Sequence, residues 1–133
     1  FIFIDCPPSL GLLTLNALTT STEVMVPVQT EYFALEGMKK LLKSVEVVKR
    51  RLNHSLEVTG IIPTMYDVRT NLSDAIMGKI IEHFGDKVFK TKIRKNVRLA
   101  EAPSFGIPIE VYSPNSHGAH DYHHLAKEVL NHG

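Results

Sequence analysis

The residue whose position most suggests chemistry is Asp5, which directly follows four apolar residues, Phe-Ile-Phe-Ile. Such a run is typical of a strand buried on both faces of a parallel sheet, and Pro7 and Pro8 would end it because proline cannot donate to the ladder. Open α/β sheets bind ligands at the carboxyl ends of their strands. The pattern therefore predicts a carboxylate at a ligand-binding edge, and a turn-forming Asp at a strand end explains the same residues without a ligand.

Positive charge is concentrated in one stretch of an otherwise nearly neutral chain. The formal net charge is +1, yet residues 87–98, here called the basic segment, contain Lys87, Lys90, Lys92, Arg94, Lys95 and Arg98. Together with Arg69 from an earlier predicted loop, these cations could contact phosphate groups, which gives sequence-independent affinity that falls steeply with salt. A solvated basic surface explains the same charges without a ligand.

Length and composition favour a single domain of a soluble globular protein. The chain has 133 residues, of which 44% are hydrophobic, enough to bury a core. Its one cysteine, Cys6, excludes an internal disulfide, is compatible with a reducing cytosol, and lacks the companions of a zinc or iron–sulfur site. No apolar run reaches membrane-spanning length.

Hydrophobic periodicity predicts strands that alternate with helices. The predicted strands are residues 1–4, 24–28, 58–62 and 88–89, with a last extended segment at 107–112. The predicted helices are one beginning at Leu10 with Ser9 as its cap, then 30–52, 71–84, a brief one after Asn96, and one ending near Leu130. This alternation is typical of an α/β protein with a doubly wound, mostly parallel sheet and flanking helices.

A phosphate-binding loop of the form Gly-x-x-x-x-Gly-Lys-Ser/Thr is missing from the sequence. The nearest candidate is Gly78-Lys79, but Ile80 follows and no glycine precedes it at the required spacing. The chain also opens inside a predicted strand without an initiator Met. We therefore expect residues 1–133 to be the carboxyl-terminal portion of one domain, whose remainder carries the loop.

Three stretches, in this order along the chain, resemble the ParA/Soj chromosome-partitioning ATPases of the P-loop class. Residues 5–18, Asp-Cys-Pro-Pro-Ser-Leu-Gly-Leu-Leu-Thr-Leu-Asn-Ala-Leu, resemble the Walker B and switch region. Residues 63–71, Pro-Thr-Met-Tyr-Asp-Val-Arg-Thr-Asn, and 96–106, Asn-Val-Arg-Leu-Ala-Glu-Ala-Pro-Ser-Phe-Gly, resemble two later stretches. The last of these is specific to this branch, and the matches extend across the chain.

The resemblance implies roles for residues near the predicted sheet edge. It assigns to Asp5 the binding of Mg²⁺ through water, since Mg²⁺ takes oxygen ligands and keeps part of its hydration shell. The switch segment that senses the γ-phosphate would contain Pro7, Pro8, Ser9 and Gly11. Thr64 and Met65 match a region near the adenine base, and Met65 is equally well explained as a packing residue.

The resemblance also gives the basic segment a possible ligand. In the family, arginines that match Arg69 and Arg98 contribute to non-specific DNA binding by the ATP-bound dimer, and Arg94 and Lys95 extend the same charged surface. Relatives commonly read Ile-Pro-Arg-Asn where this chain reads Ile-Arg-Lys-Asn at residues 93–96. The departure removes a rigid proline and increases the positive charge.

For the whole protein, the resemblance implies an ATP- and Mg²⁺-dependent partition ATPase of chromosomes or plasmids. It would form a homodimer with ATP, bind DNA non-specifically, respond to a ParB-type partner, and be cytoplasmic and nucleoid-associated without stable membrane association. This chain, which lacks the Walker A lysines, is not expected to hydrolyse ATP alone. Two alternatives stay open: a MinD-like membrane-cycling ATPase, which requires a basic amphipathic helix, and a non-enzymatic nucleic-acid-binding module.

Overall fold

The computed structural model describes residues 1–7, 11–32 and 34–131. The helices are α1 (Leu12–Thr20), α2 (Ala34–Arg51), α3 (Asn71–Phe84), α4 (Val97–Glu101), α5 (Ile109–Tyr112) and α6 (His117–Leu130). The strands are β1 (Glu23–Gln29) and β2 (Glu57–Thr64), and 3₁₀ turns span Gly85–Lys87 and Ala102–Phe105. The predicted α/β class is confirmed.

The sheet of the described residues consists of β1 and β2, which pair in parallel from Glu23 opposite Glu57 to Gln29 opposite Thr64. Bridges from Ile61 to Val88 and from Tyr66 to Arg94 place residues 88–94 along the side of β2 that β1 leaves free. Within this described sheet β1 is an edge strand, which is the position that its proline predicts.

Helices cover both faces of this sheet because successive strand residues point to opposite sides. On one face, Val26, Val28 and Ile61 pack with residues of α2 and α3 in the largest buried cluster. On the other face, Met25 and Ile62 pack against a cluster of Phe89, Ile93 and Leu125, the last of these from α6. This two-sided packing is the arrangement that a doubly wound fold requires.

The helix at residues 71–84 is confirmed at both ends. Thr70 caps it by accepting a hydrogen bond from the Ser73 N–H, and Gly85 ends it with φ of 56°, a conformation that favours glycine. Two other boundaries differ from prediction: α1 begins at Leu12 with Gly11 in the N-cap position, and α2 begins at Ala34 rather than at residue 30. The predicted Ser9 cap lies outside the described residues.

The predicted strand at residues 1–4 is wrong in this structure. These residues form no strand, and Phe1, Ile2, Phe3 and Ile4 are 88%, 93%, 75% and 49% exposed. An apolar run is buried only where neighbouring strands and helices cover it. Residues 1–4 pair with neither described strand, since β1 pairs with β2 alone and its other edge stays open, so this run lacks the neighbours that would bury it.

The predicted extended segment at residues 107–112 is also wrong, because Ile109–Tyr112 forms the helical turn α5. Pro108 occupies its N-cap with φ of −70° and ψ of 157°, where the missing proline N–H breaks no helical hydrogen bond. The residue types around Pro108 fit a strand edge equally well, so the sequence alone favoured the wrong element. The brief helix after Asn96 is confirmed as α4.

Candidate functional site

A cleft of about 860 Å³ lies at the carboxyl ends of β1 and β2. Its lining includes Gln29 at the end of β1 with Thr30 after it, and Met65 and Asp67 after β2. Thr30 is buried and ties the two strand ends together, since its N–H donates to the Thr64 carbonyl over 3.0 Å. The cleft therefore lies at the sheet edge where ligands bind in this class of fold, and its volume is that of a small-molecule site.

Met65 turns the chain sharply as it leaves β2. Among the described residues other than glycine, Met65 alone has a positive φ, of 54°. Met65 lines the cleft and is 39% exposed. A left-handed backbone is costly for a side chain of this size and is often found next to functional sites. Thr64 is half-buried at the end of β2. Both residues predicted near an adenine base thus lie at or beside the cleft.

The predicted magnesium ligand, Asp5, is exposed in a segment without regular structure. It is not among the residues that line the cleft. Pro7 is exposed and Gly11 is the N-cap of α1, whereas Pro8 and Ser9 fall in the undescribed gap. Within the described ranges, no three His, Cys, Asp or Glu residues converge to hold a metal. A single carboxylate is nevertheless the usual protein share of a Mg²⁺ site in which phosphates and water supply the other oxygens.

Arg69 lies in the loop after β2 and is paired with Asp67. Its Nε donates to Oδ1 over 2.9 Å and its Nη2 to Oδ2 over 2.8 Å, while its backbone N–H also reaches Oδ1. The Arg69 side chain is 80% exposed. Hydrogen bonds from Arg69 hold the pKa of the Asp67 carboxyl well below its usual range, and the charges of Arg69 and Lys95 act in the same direction.

Backbone hydrogen bonds join the Arg69 loop to the basic segment. The Tyr66 N–H donates to the Ile93 carbonyl over 3.1 Å, and the Lys95 N–H donates to the Tyr66 carbonyl over 2.9 Å. The Lys92 ammonium lies 4.3 Å from the centre of the Tyr66 ring. Lys95 and Arg69, 26 positions apart in sequence, are thereby brought onto neighbouring stretches of backbone.

Arg94 is oriented differently from its neighbours, because its guanidinium faces Asp121 of α6. Nη2 donates to Oδ1 over 2.6 Å and Nε to Oδ2 over 2.9 Å, and the Arg94 N–H reaches Oδ2 over 3.0 Å. The side chains are 35% and 8% exposed, respectively. Burial alone would raise the pKa of Asp121, but the hydrogen bonds and charge of Arg94 outweigh it, so that the pKa is lowered.

Arg98 lies on α4, whose first turn is capped by Asn96. Its Nη1 donates to Glu101 Oε2 over 2.9 Å, and the same oxygen accepts the Tyr112 hydroxyl over 3.0 Å. The Arg98 side chain is 57% exposed. Hydrogen bonds from Arg98 and Tyr112 lower the pKa of Glu101. Arg98 and Arg69 are therefore both solvent-facing arginines held by a nearby carboxylate.

Sequence reasoning missed three carboxylates that organise this surface: Asp67, Asp121 and Glu128. Asp67 could have been found because it lies two positions before Arg69 in a predicted loop. Asp121 could have been found as an acidic residue between Ala119 and Leu125 on the apolar side of a predicted helix, since an acid there requires a partner. That partner, Arg94, lies 27 positions earlier, so no local sequence pattern identifies it.

Among the residues that the structure describes, no helix is long and apolar enough to cross a bilayer.

Comparison with known proteins gives matches across the chain. A family described as AAA domain matches residues 1–58. The sporulation initiation inhibitor protein Soj of Bacillus subtilis (strain 168) is 54% identical over 133 residues, which is 100% of this chain and 53% of that protein. The chromosome-partitioning ATPase Soj of Treponema pallidum (strain Nichols) is 52% identical over 98% of this chain and 51% of its own length.

The chromosome partitioning protein ParA of Caulobacter vibrioides is 47% identical over 98% of this chain and 49% of its own length. The chain thus spans about half the length of the curated relatives it matches. Among solved structures, cobyrinic acid a,c-diamide synthase from Mycobacterium smegmatis with bound ADP and magnesium has a TM-score of 0.74 and 32% identity. That match covers 96% of this chain and 45% of the synthase, which has also been solved with an ATP analogue and magnesium.

Proposed function

We propose, since the chain belongs to the Soj/ParA family of chromosome-partitioning proteins, that the whole protein is a Mg²⁺-dependent ATPase that binds DNA non-specifically in its ATP state. Relatives that are half identical across the chain are named as partitioning ATPases, and a structural neighbour holds ADP and magnesium. Nucleotide then acts as a switch, because the γ-phosphate favours one of two states of the protein.

One observation supports the DNA-binding part of this proposal. Two stretches that are distant in sequence, and that both carry exposed cations, are joined by backbone hydrogen bonds. Arg69 projects from the loop after β2, and Lys95 and Arg98 project from the basic segment that is bonded to this loop. Phosphate oxygens can replace the carboxylates that Arg69 and Arg98 contact, since a guanidinium binds both geometries in the same way. None of these contacts reads a base edge, so the binding is independent of sequence.

For the nucleotide, the proposal assigns Asp5 to Mg²⁺ through water and Pro7, Pro8, Ser9 and Gly11 to the segment that senses the γ-phosphate. Thr64 and Met65 contact the adenine end. The cleft at the ends of β1 and β2, which Met65 lines, supports the assignment at the adenine end by its place and volume. ATP and Mg²⁺ supply the phosphoryl chemistry when bound, and this chain's own share is to orient them. Hydrolysis by residues 1–133 alone is not part of the proposal.

The proposed partners are DNA, a second copy of the whole protein in the ATP state, and a ParB-type protein that stimulates hydrolysis. The proposed location is the cytoplasm at the nucleoid, without stable membrane association. These assignments rest on the family and not on any contact in the structure.

The test is DNA binding by the whole protein without nucleotide, with ADP, and with a slowly hydrolysed ATP analogue, each over a range of salt concentrations. We expect binding only with the analogue, equal for unrelated duplexes and weaker as salt rises. Arg98→Ala should weaken binding to every duplex and reduce the salt slope by about 1. A matched control is Arg50→Ala, which removes an exposed arginine of α2 that also pairs with a helical glutamate, Glu46.

Two results would contradict the proposal. Binding that is the same in all nucleotide states would remove the switch and favour a non-enzymatic DNA-binding module. Equal behaviour of Arg98→Ala and Arg50→Ala would show that the basic segment is only a solvated surface.

A further inference from the structure

One face of α6 carries four residues at helical spacing, Gly118, Asp121, Leu125 and Glu128. This face is not the uniform apolar stripe that packs most helices, because two of its four members are carboxylates. Both carboxylates are directed at the basic segment. The face therefore does more than bury apolar area.

Each carboxylate accepts backbone N–H groups of the basic segment. Glu128 accepts the Lys90 N–H over 2.7 Å and the Thr91 N–H over 2.9 Å. Asp121 accepts the Arg94 N–H over 3.0 Å in addition to the Arg94 side chain. Hydrogen bonds to an ionised acceptor are stronger than those between neutral groups. Three backbone positions of the segment are thus fixed by one helix.

Apolar contacts on the same face fix the segment on both sides of those hydrogen bonds. Leu125 packs with Phe89 and Ile93 in a buried cluster. Leu99 of α4 approaches Gly118 so closely that a Cβ there would lie 2.6 Å from Leu99 Cγ. The face of α6 consequently contacts the chain from residue 89 to residue 99, the stretch that contains Lys95 and Arg98.

We infer that α6 positions the DNA-contacting cations, with Asp121 and Glu128 as the positioning residues and Arg94 as the structural partner of Asp121 rather than a phosphate contact. Arg94 carries a charge that α6 already neutralises, whereas Lys95 and Arg98 are exposed and lie between Arg94 and Leu99, two residues that α6 contacts. The inference deepens the proposed DNA-binding function and rests on it.

A positioning role for Asp121 and a purely electrostatic role predict opposite changes in DNA affinity when its charge is removed. Asp121→Asn removes a negative charge close to the basic segment, and by charge alone this change should tighten binding to DNA. If Asp121 positions the segment, the same change weakens binding, because the fraction of molecules with Lys95 and Arg98 in place falls. Asn keeps the size of Asp and one acceptor oxygen, so that the substitution tests the charged, two-oxygen contact itself.

The experiment measures the affinity of the whole protein with the ATP analogue for a fluorescent DNA duplex at fixed salt. Asp121→Asn is expected to weaken binding about tenfold, as it would if the segment were in place one tenth of the time. Glu128→Gln should change affinity in the same direction, and it keeps the test available if Asp121→Asn does not fold. Arg94→Lys, which keeps the charge but loses the planar guanidinium, should weaken DNA binding to the same extent as Asp121→Asn. Glu110→Gln, an equal charge change at an exposed position of α5, is the control.

A second readout is independent of DNA. Amide hydrogen exchange should become faster at Arg94 in Asp121→Asn, and at Lys90 and Thr91 in Glu128→Gln, with the strands unaffected. The inference is overturned if Asp121→Asn binds DNA as tightly as the wild type or more tightly while Arg98→Ala binds weakly, and the proposed function then stands. If Arg98→Ala and Arg69→Ala both bind like the wild type, the proposed function is overturned and the inference with it.

Discussion

Two arginine–aspartate pairs in this protein use the same groups and differ in almost everything else. Arg69 and Asp67 are two residues apart in one loop, with side chains 80% and 20% exposed, respectively. Arg94 and Asp121 join two elements and are 27 residues apart, with side chains 35% and 8% exposed. A pair in water exchanges partners at little cost, whereas a carboxylate removed from water depends on the partner it has. The first arginine is therefore available to a ligand and the second is committed to the fold.

The largest expected effect comes from breaking the committed pair. Arg94→Ala leaves the buried Asp121 carboxylate with the backbone N–H as its remaining contact from residue 94, and we expect the free energy of unfolding to fall by about 2 kcal/mol. Arg69→Ala should cause no resolvable change, because water replaces the exposed guanidinium. Urea denaturation of the two variants tests the contrast, and equal losses would mean that burial does not distinguish the pairs.

A smaller effect is expected from the contact that supports the committed pair. Gly118→Ala places a Cβ 2.6 Å from Leu99 Cγ, so that α4 and α6 must separate slightly. Overpacking of this kind costs about 1–3 kcal/mol, and the better helix propensity of alanine offsets about 1 kcal/mol of it. Thermal unfolding should show a lower Tm. Gly78→Ala, where a Cβ meets no atom within 4 Å, is the control and should raise the Tm.

How far the sequence predicted these features follows from the range of the interactions involved. Helix α3 was predicted at both ends because its apolar residues at helical spacing, such as Ile76 and Ile80, and its stop, Gly85, are local signals. The exposed state of residues 1–4 was not, because burial of a strand depends on its neighbours and not on its own residues. The roles of Arg69 and Arg98 as DNA contacts stay predictions, whereas the contact from Arg94 to Asp121 was not predicted, since no local pattern specifies a partner on another element.

The pH dependence of stability should separate the pairs further. The pKa of Asp121 is lowered in the folded protein, with Arg94 and His117 both favouring the carboxylate. An unfolded aspartate has a pKa of about 3.9, so this stabilisation is complete above about pH 4 and is lost as the pH falls through the folded pKa. Asp121→Asn should therefore flatten the acid limb of a plot of unfolding free energy against pH.

The pKa of Asp67 is also lowered, chiefly by hydrogen bonds from Arg69. Its contribution to stability is therefore likewise lost as the pH falls. Its arginine is largely in water, which screens the interaction in a way that the buried pair does not experience. Asp67→Asn should thus flatten the acid limb less than Asp121→Asn does. The reverse order would show that local hydrogen bonds, and not burial, determine what each pair contributes.

The smallest expected effect is that of Asp67→Asn on DNA binding, and it is opposite in sign to the effect expected for Asp121→Asn. Asp67→Asn keeps an oxygen for the Arg69 N–H and so preserves the turn, but it removes the charge that competes with phosphate for the guanidinium. We expect the affinity of the whole protein for duplex DNA to rise about two- to threefold, the scale of an exposed ion pair.

Asp121→Asn, with the same change of one charge, is expected to lower that affinity instead. Titrations of both variants at one salt concentration provide the comparison, with Glu110→Gln as the control for charge. If Asp67→Asn also weakened binding, Asp67 would be orienting Arg69 rather than competing with the phosphate, and both pairs would have to be regarded as positioning contacts. Because the chemical groups and the change made to them are identical, the opposite signs follow from where each pair lies, either within one loop or between two packed elements.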